Sequence, residues 1–463
     1  MTSTSDELLR RIEAVVGSQG ILTGSGLRGR SAGIWSGAEL EALALVRPAS
    51  TQQVAEVMKL CHAARQPVIP AGGMTGLAGG HQSTAADIVL STERMSRIES
   101  LDARSRRMTV QAGAILQTVQ QAAADAGLMF ALDLGARASC TIGGNIATNA
   151  GGVRVLRYGM MREQVLGLEV VLADGSILSS MFSVLKNNTG YDLRQLFVGS
   201  EGTLGIVTRA ILRLQEAPLA IETALLAVPS WDRVMALLRY FDGALPGALA
   251  AFEVMWRNFY ELNTGPHSSI DPPLQGDAPY YVLLDIFISD HEQGRDKLES
   301  LLMAALERGD ISDGALASSE KERARFWQIR ENFEPEQSRY DLIYGYDVSL
   351  PLRDMESYVE TLQRELGEYS ADALAYAYGH IGDGNLHFSI YPGSRRERDA
   401  VDEIVYRPLQ ALHGSVSAEH GIGIEKKAYL GYTRSDAEIE LMRRTRRMLD
   451  PEGILNPGKL FDY

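Results

Sequence analysis

The chain has 463 residues, 45% of them hydrophobic and 22% charged, which is room for two or three globular domains around a large core. A net charge of −14 excludes the basic face that a nucleic-acid binder needs. Two cysteines, Cys61 and Cys140, are too few for a disulfide framework and suit a reducing compartment. No basic-then-apolar leader and no apolar run near ~20 residues can be read, so the expectation is a cytoplasmic protein without a membrane span.

Residues 6–16 predict a short amphipathic helix capped by Ser5 or Asp6. Gly24-Ser-Gly-Leu-Arg-Gly29 matches the dinucleotide pattern G-x-G-x-x-G, but no helical period follows it, so it reads as a loop. From Arg47-Pro48 the pattern is βαβ, with a helix over 51–65 capped by Ser50 or Thr51, then strands at 67–70 and 87–91. Between those strands lies Ala71-Gly-Gly-Met-Thr-Gly-Leu-Ala-Gly-Gly80. Its five glycines let main-chain N–H groups converge on an anion such as a pyrophosphate, and Thr75 adds a hydroxyl.

A strand is expected at 108–112 and a helix at 115–127. The second glycine-rich stretch, Asp133 to Gly152, carries almost no large side chain after Gly143. Small residues with two asparagines suit a wall against a flat polar ring. Residues 165–179 predict a hairpin turning at Asp174-Gly175. In a third stretch, 186–208, a helix around 192–197 ends at Gly199, and Glu201-Gly202 leads into a strand over 204–213.

A boundary falls near 215–220, after which glycine use becomes ordinary. Strand 222–227, helix 230–242, strands 249–254 and 280–288 and helix 290–307 alternate as in a split ferredoxin-like sheet, with 265–277 a surface loop. Helix 318–332, strand 346–351 and helices 354–366, 398–412 and 435–449 follow. The arginines at 443, 444, 446 and 447 read as charge capping of the last helix.

Tyr378-Gly-His-Ile-Gly-Asp-Gly-Asn-Leu-His387 sets two imidazoles on either side of a bend made by Gly382, Asp383 and Gly384, with a strand over 385–391. Downstream, Ser417-Ala-Glu-His-Gly421 adds a carboxylate and a third imidazole. His380, His387 and Glu419 suit a zinc-like ion with one position open, and His420 suits a general base. A closed structural site with His420 as fourth ligand is the alternative.

These stretches, with Asn456-Pro-Gly-Lys459 near the C-terminus, resemble the FAD-linked oxidases and dehydrogenases of the vanillyl-alcohol-oxidase type, and within them the D-2-hydroxyacid dehydrogenases. The resemblance runs from about Arg47 to Lys459. It implies an α+β fold: a two-subdomain FAD-binding domain over 1–216, a ferredoxin-like substrate domain with the metal site over 217–415, and a C-terminal segment, 416–463, that returns to the FAD domain. Non-covalent FAD is expected on Pro70, Gly72, Gly73, Met74, Thr75, Gly76 and Leu77. The cofactor wall is expected at Leu134, Gly135, Ser139, Thr141, Gly143, Gly144, Asn145, Ala147, Thr148, Asn149 and Gly151. Glu201, Gly202, Ile206 and Asn456 complete it. His380, His387 and Glu419 match the family's ligands for a divalent metal, zinc or manganese. His420 matches its base and also touches substrate. Arg330 matches the arginine that clamps a substrate carboxylate.

Three positions depart from the hydroxyglutarate-type pattern. Gly345 stands where a lysine is expected, Glu334 for a threonine and Ser389 for an asparagine. Their loss favours a neutral side group such as that of D-lactate, unless a cation such as Arg339 compensates. The implied activity is oxidation of a D-2-hydroxy acid to the 2-oxo acid, with electrons passed to electron-transfer flavoprotein, a quinone or a cytochrome. An oxygen-reducing oxidase and a non-catalytic flavin subunit are the alternatives. A homodimer is the typical assembly.

Overall fold

The computed structural model describes residues 4–34, 36–266, 268–274, 277–289 and 294–462. The chain divides into two compact units. The first comprises 1–151, 159–217 and 419–463, and the second 152–158 and 218–418. Among the described residues no helix is long and apolar enough to cross a membrane.

Among the described residues the first unit holds two larger sheets and a two-stranded one, in which Gln215–Glu216 pairs with Leu128–Met129. Ile21–Leu22, Ala44–Val46, Ile88–Ser91 and Val68–Ala71 form one larger sheet, in that order. Ala44–Val46 and Val68–Ala71 both run parallel to Ile88–Ser91, as a βαβ crossover through helix Thr51–Ala64 requires. Ser50 caps that helix by accepting from Gln53 N, a contact worth about 1 kcal/mol. The other larger sheet is antiparallel, in the order Ile98–Asp102, Arg107–Gln111, Ile206–Arg213, Val165–Val171, Ile177–Ser180. Each larger sheet has its own core, one around Val54, Val57, Ile88 and Leu455, the other around Val110, Phe130, Ile146 and Leu212. The first helix spans Thr4–Val16, so Ser5 and Asp6 lie within it and do not cap it. Asp6 and Glu7 in its first turn favour its positive end. Gly24–Leu27 is a 3₁₀ turn with no α-helix after it.

The second unit is one seven-stranded antiparallel sheet. Its strands are β1 (Ala220–Val228), β2 (Leu249–Trp256), β3 (Tyr280–Ile288), β4 (Asp313–Leu316), β5 (Tyr344–Ser349), β6 (Leu374–His380) and β7 (Asn385–Tyr391), in the order β4-β1-β3-β2-β6-β7-β5. The order contains the same split βαβ unit twice. Helix Trp231–Ala244 carries β1 over to β2 with β3 inserted between them, and helix Met355–Tyr369 carries β5 over to β6 with β7 inserted. A bridge from Ser349 to Ser415 stands where β4 edges the first repeat.

Several expectations change here. Residues 152–158 belong to the second unit, not to a continuous domain 1–216. Leu156 packs against Gly382, where an added Cβ would meet its Cδ2 at 2.7 Å, and Arg157 lies over the Phe287 ring at 5.2 Å. Within the stretch read as a surface loop, Ile270 and Leu274 are buried in the sheet's core. The Tyr260 hydroxyl there donates to Leu274 O and accepts from Leu274 N. Residues 267, 275 and 276 of that loop, and 290–293 at the start of the expected helix 290–307, lie outside the described residues. Helices Arg257–Thr264 and Glu334–Arg339 and strands β4, β6 and Ile98–Asp102 were not expected.

Candidate active site

In the first unit the four expected cofactor stretches are brought together. A Cβ on Gly72 would collide with Thr141 Oγ1, and one on Gly73 with Ser139 O, so the loop after Pro70 lies backbone against backbone on 139–144. Gly202 sits over Pro70, with 3.0 Å from its notional Cβ to the proline Cγ. Glu201 N donates to Ala147 O at 2.7 Å. Asn456 Nδ2 donates to both Gly80 O and Glu201 O, at 3.0 and 2.7 Å. Thr141 caps the short helix Ile142–Ala147 by accepting from Gly144 N.

Eight non-glycine residues among those described have positive φ, and four of them are in the expected cofactor set: Met74, Asn149, Glu201 and Asn456. Strain of this kind persists where a ligand site over-determines the backbone. Asn456 Oδ1 is buried without a partner, while its Nδ2 donates twice. These features fit a bound, flat, anionic cofactor.

Some nominated side chains are already engaged. Asn145 Nδ2 reaches Cys140 Sγ at 3.5 Å, and Asn149 Oδ1 accepts from Arg162 N at 2.9 Å. Ile206 is in a core. The Glu201 carboxylate accepts from Ile422 N and Gly423 N at 2.7 and 2.8 Å, and burial pushes its pKa up. What these residues can offer a ligand is chiefly backbone. Gly135 has open space where a Cβ would stand, a Cβ on Gly76 would touch His81 Nδ1 at 3.6 Å, and Leu77 is exposed. Glu419 stands against Gly151, whose notional Cβ would lie 2.7 Å from its Oε1, and His420 beside it is half-buried.

In the second unit the register decides which side chains meet. Side chains alternate across a strand, so paired residues share a face. Glu253 pairs with His380, Met255 with Tyr378, Tyr378 with His387 and His387 with Asp347. One step further along, Tyr376 pairs with Ser389, and Ser389 with Gly345. All of these stand on one face of the sheet. Phe326 and Ile329 of helix Glu320–Glu331 pack there with Met255, Tyr376 and Tyr378, and Arg330 follows them on that helix.

His380 and His387 are buried, with ring centroids 5.1 Å apart and nearly perpendicular rings, and each offers a nitrogen within 4.8 Å of the other's. Glu253, fully buried, accepts from His380 Nδ1 at 2.5 Å and from Arg330 Nε at 2.8 Å. Burial pushes the Glu253 pKa up, but the charges of His380 and Arg330 outweigh it and hold the group below its usual value. Asp347, also fully buried, lies 3.7 Å from His387 Nδ1 and accepts from Asn385 Nδ2 at 2.9 Å. A carboxylate behind each histidine is the arrangement that fixes the tautomer of a metal-ligating imidazole. Arg330 lies over the Tyr378 ring at 4.5 Å. Among the described residues its hydrogen bond to Glu253 uses Nε, so the planar Nη edge remains for a carboxylate. Ser417 Oγ reaches Asp347 at 3.4 Å, which ties the chain to β5 two residues before Glu419. Burial raises Asp383, in the bend, to about 6, and its Oδ1 has no partner.

Sequence reading missed Glu253 and Asp347. The signal for Glu253 was a lone carboxylate in the apolar run Leu249–Trp256.

Two family descriptions match the chain: an FAD binding domain over 42–180 and the C-terminal domain of FAD linked oxidases over 217–460. The chain is 41% identical over 418 residues to the mitochondrial D-2-hydroxyglutarate dehydrogenase of Bos taurus, covering 90% of this chain and 76% of that one. It is 41% identical over 431 residues to the D-2-hydroxyglutarate dehydrogenase of Xanthomonas citri pv. viticola, covering 91% and 89%. The solved structure of 4-ethylphenol oxidase from Gulosibacter chungangensis matches with a TM-score of 0.75 over 99% of this chain and 97% of that one; at 19% identity it speaks for the fold alone. The chain belongs to the FAD-linked oxidases of the vanillyl-alcohol-oxidase type, in their D-2-hydroxyacid dehydrogenase branch. It is an FAD-dependent oxidoreductase of mixed helix and strand architecture.

Proposed function

We propose that the chain oxidises a D-2-hydroxy acid with a neutral side group, D-lactate being the simplest, to the 2-oxo acid. Electrons leave for a protein or quinone acceptor in the cytoplasm. The observation that carries this reading is Glu253: one buried carboxylate braces both His380 and Arg330, which couples a metal-type histidine to a carboxylate-type arginine.

In this reading the Nη edge of Arg330 takes the substrate carboxylate. His380, His387 and Glu419 hold zinc or manganese, which supplies Lewis-acid stabilisation to the 2-hydroxyl oxygen. His420 takes the hydroxyl proton. FAD, held without a covalent bond on 70–77, 134–151 and 201–206 and by Asn456, supplies the acceptor for the hydride from C2. The substrate loses one hydride and one proton, and the C–O bond becomes a carbonyl.

The second reading is a diacid substrate, favoured by the names of the relatives at 41% identity. Anaerobic titration separates the two. D-lactate, D-2-hydroxyglutarate and their L-enantiomers are added in turn, with and without chelator, while the visible flavin band is followed. Bleaching by D-lactate, lost on chelation and restored by zinc or manganese, is expected. Preferential bleaching by D-2-hydroxyglutarate supports the diacid, and a yellow protein bleached by no 2-hydroxy acid overturns both.

A further inference from the structure

Beside the histidine row stands a carboxylate with no evident structural purpose. Glu336, on helix Glu334–Arg339, is only 6% exposed, and its Oε2 has no hydrogen-bond partner. Among the described residues it makes no ion pair. An unpaired buried acceptor is costly, and native proteins keep few of them without a reason. The adjoining groups are Ser389, whose side chain hydrogen-bonds towards it, and Tyr376 and Tyr378, which respond to its charge.

Its place follows from the sheet register. Ser389 is two residues beyond His387 on β7, a step of roughly 7 Å along the strand. That is the reach of a two- or three-carbon group extending from a carbon held near His387. Across from Ser389 is Gly345, which is exposed and whose notional Cβ would meet nothing within 4 Å. There is therefore open space over Gly345, with the buried Ser389 and Glu336 beside it. Tyr376, capped by a 2.6 Å hydroxyl contact to Tyr340, flanks Ser389 on the other side. Burial pushes the Glu336 carboxyl up to about 7, and the Ser389 hydrogen bond opposes this only in part.

We infer that Glu336, with Ser389 and the opening at Gly345, forms the subsite for the substrate's side group and selects one that ends in a hydrogen-bond donor, such as a hydroxyl, over one that ends in a carboxylate. The inference rests on the proposed oxidation of 2-hydroxy acids. A donor reaching Oε2 satisfies an acceptor that the fold leaves unpaired. A second carboxylate would stand against the buried Glu336 carboxyl, and like charges at such a site disfavour each other. Sites built to hydrogen-bond a substrate group discriminate more sharply than apolar ones.

The test compares (R)-2,4-dihydroxybutyrate, D-lactate and D-2-hydroxyglutarate on the holoenzyme, measuring kcat and KM separately for wild type, Glu336→Gln and Glu336→Leu. Wild type is expected to prefer the dihydroxy acid to D-lactate by roughly tenfold in kcat/KM, with D-2-hydroxyglutarate last. Glu336→Leu is expected to erase the preference for the dihydroxy acid through KM, and Glu336→Gln to lower the KM for D-2-hydroxyglutarate. Activity on 2-hydroxy acids with the same order of preference in all three proteins overturns the subsite and leaves the proposed reaction standing. Flavin reduction by none of the acids overturns the reaction and the subsite together. Equal binding of all three acids by wild type, read by flavin perturbation, also overturns the subsite.

Discussion

In the first unit the critical positions are Gly72, Gly73 and Gly143, where a Cβ would strike a neighbouring loop or strand, and the cradle they form is made of main chain. In the second unit the working groups are Glu253, His380, His387 and Asp347, side chains that stand on alternate positions of neighbouring strands. The first unit removes side chains so that its loops and strands can close on one another. The second positions charges by sheet register, where a slip of one residue would turn every group to the opposite face. The first kind of site therefore fails through shape and the second through uncompensated charge.

The largest failure is expected at Glu253. Glu253→Ala leaves the Arg330 guanidinium and the His380 imidazole buried without their common carboxylate. Removing one partner of such a cluster costs about 3–5 kcal/mol. Thermal unfolding is expected to fall well below wild type, with flavin reduction lost. A Glu253→Ala protein of unchanged stability and rate would show that the brace does nothing. The matching break in the first unit is Gly73→Ala, which drives a methyl into Ser139 O. The ratio of flavin to protein absorbance should collapse. Gly37→Ala, whose Cβ meets nothing, should stay within about 0.5 kcal/mol of wild type and keep its colour.

The same contrast governs what could be read from the residues. Glycine is the residue of choice where a side chain would collide, so 71–80, 143–152 and 201–202 stand out in a linear sequence. The metal-type histidines stood out because Gly382, Asp383 and Gly384 mark the bend between them. Register is different, because it exists only once strands pair. Nothing local couples Glu253 to His380, 127 residues away. Strand β6 carried its signal in Tyr376, Tyr378 and His380 at period two, yet with few β-branched residues it did not read as a strand. The allegiance of 152–158 to the second unit depends on the contacts that Leu156 and Arg157 make with residues beyond 240. Such contacts leave no trace in composition.

Glu336 sharpens the comparison, because its charge is placed but not compensated. Its carboxyl is raised to about 7 in the folded protein, against an ordinary value near 4.5. The folded state thus binds the proton more tightly than the unfolded chain. The resulting stabilisation is fully present below about pH 4.5 and is lost as pH rises towards 7, amounting to about 3 kcal/mol. Tyr376, Tyr378 and Ser389, which face it, do not titrate in that window. Glu336→Gln should raise the melting temperature at pH 8 and change it little at pH 5. Equal shifts at both pH values would remove the carboxyl from the account.

Asp347→Asn should have the mildest effect, and it separates positioning from charge. The substitution keeps the shape and an oxygen for Asn385 Nδ2, which now donates to Asp347 at 2.9 Å. It removes the anion 3.7 Å from His387 Nδ1. Loss of a supporting carboxylate behind a ligating histidine typically weakens metal binding 10–100-fold without dismantling the site. The variant should therefore keep its flavin colour and fold, show reduced activity at low metal, and recover when zinc or manganese is added in excess. Glu253→Ala should not recover under the same addition, because what it loses is the counter-charge for Arg330 as well as support for a ligand. Recovery of both variants by metal would place the two carboxylates in one role. Recovery of neither would mean that Asp347, like Glu253, is held in the sheet for the stability of the buried charges around it.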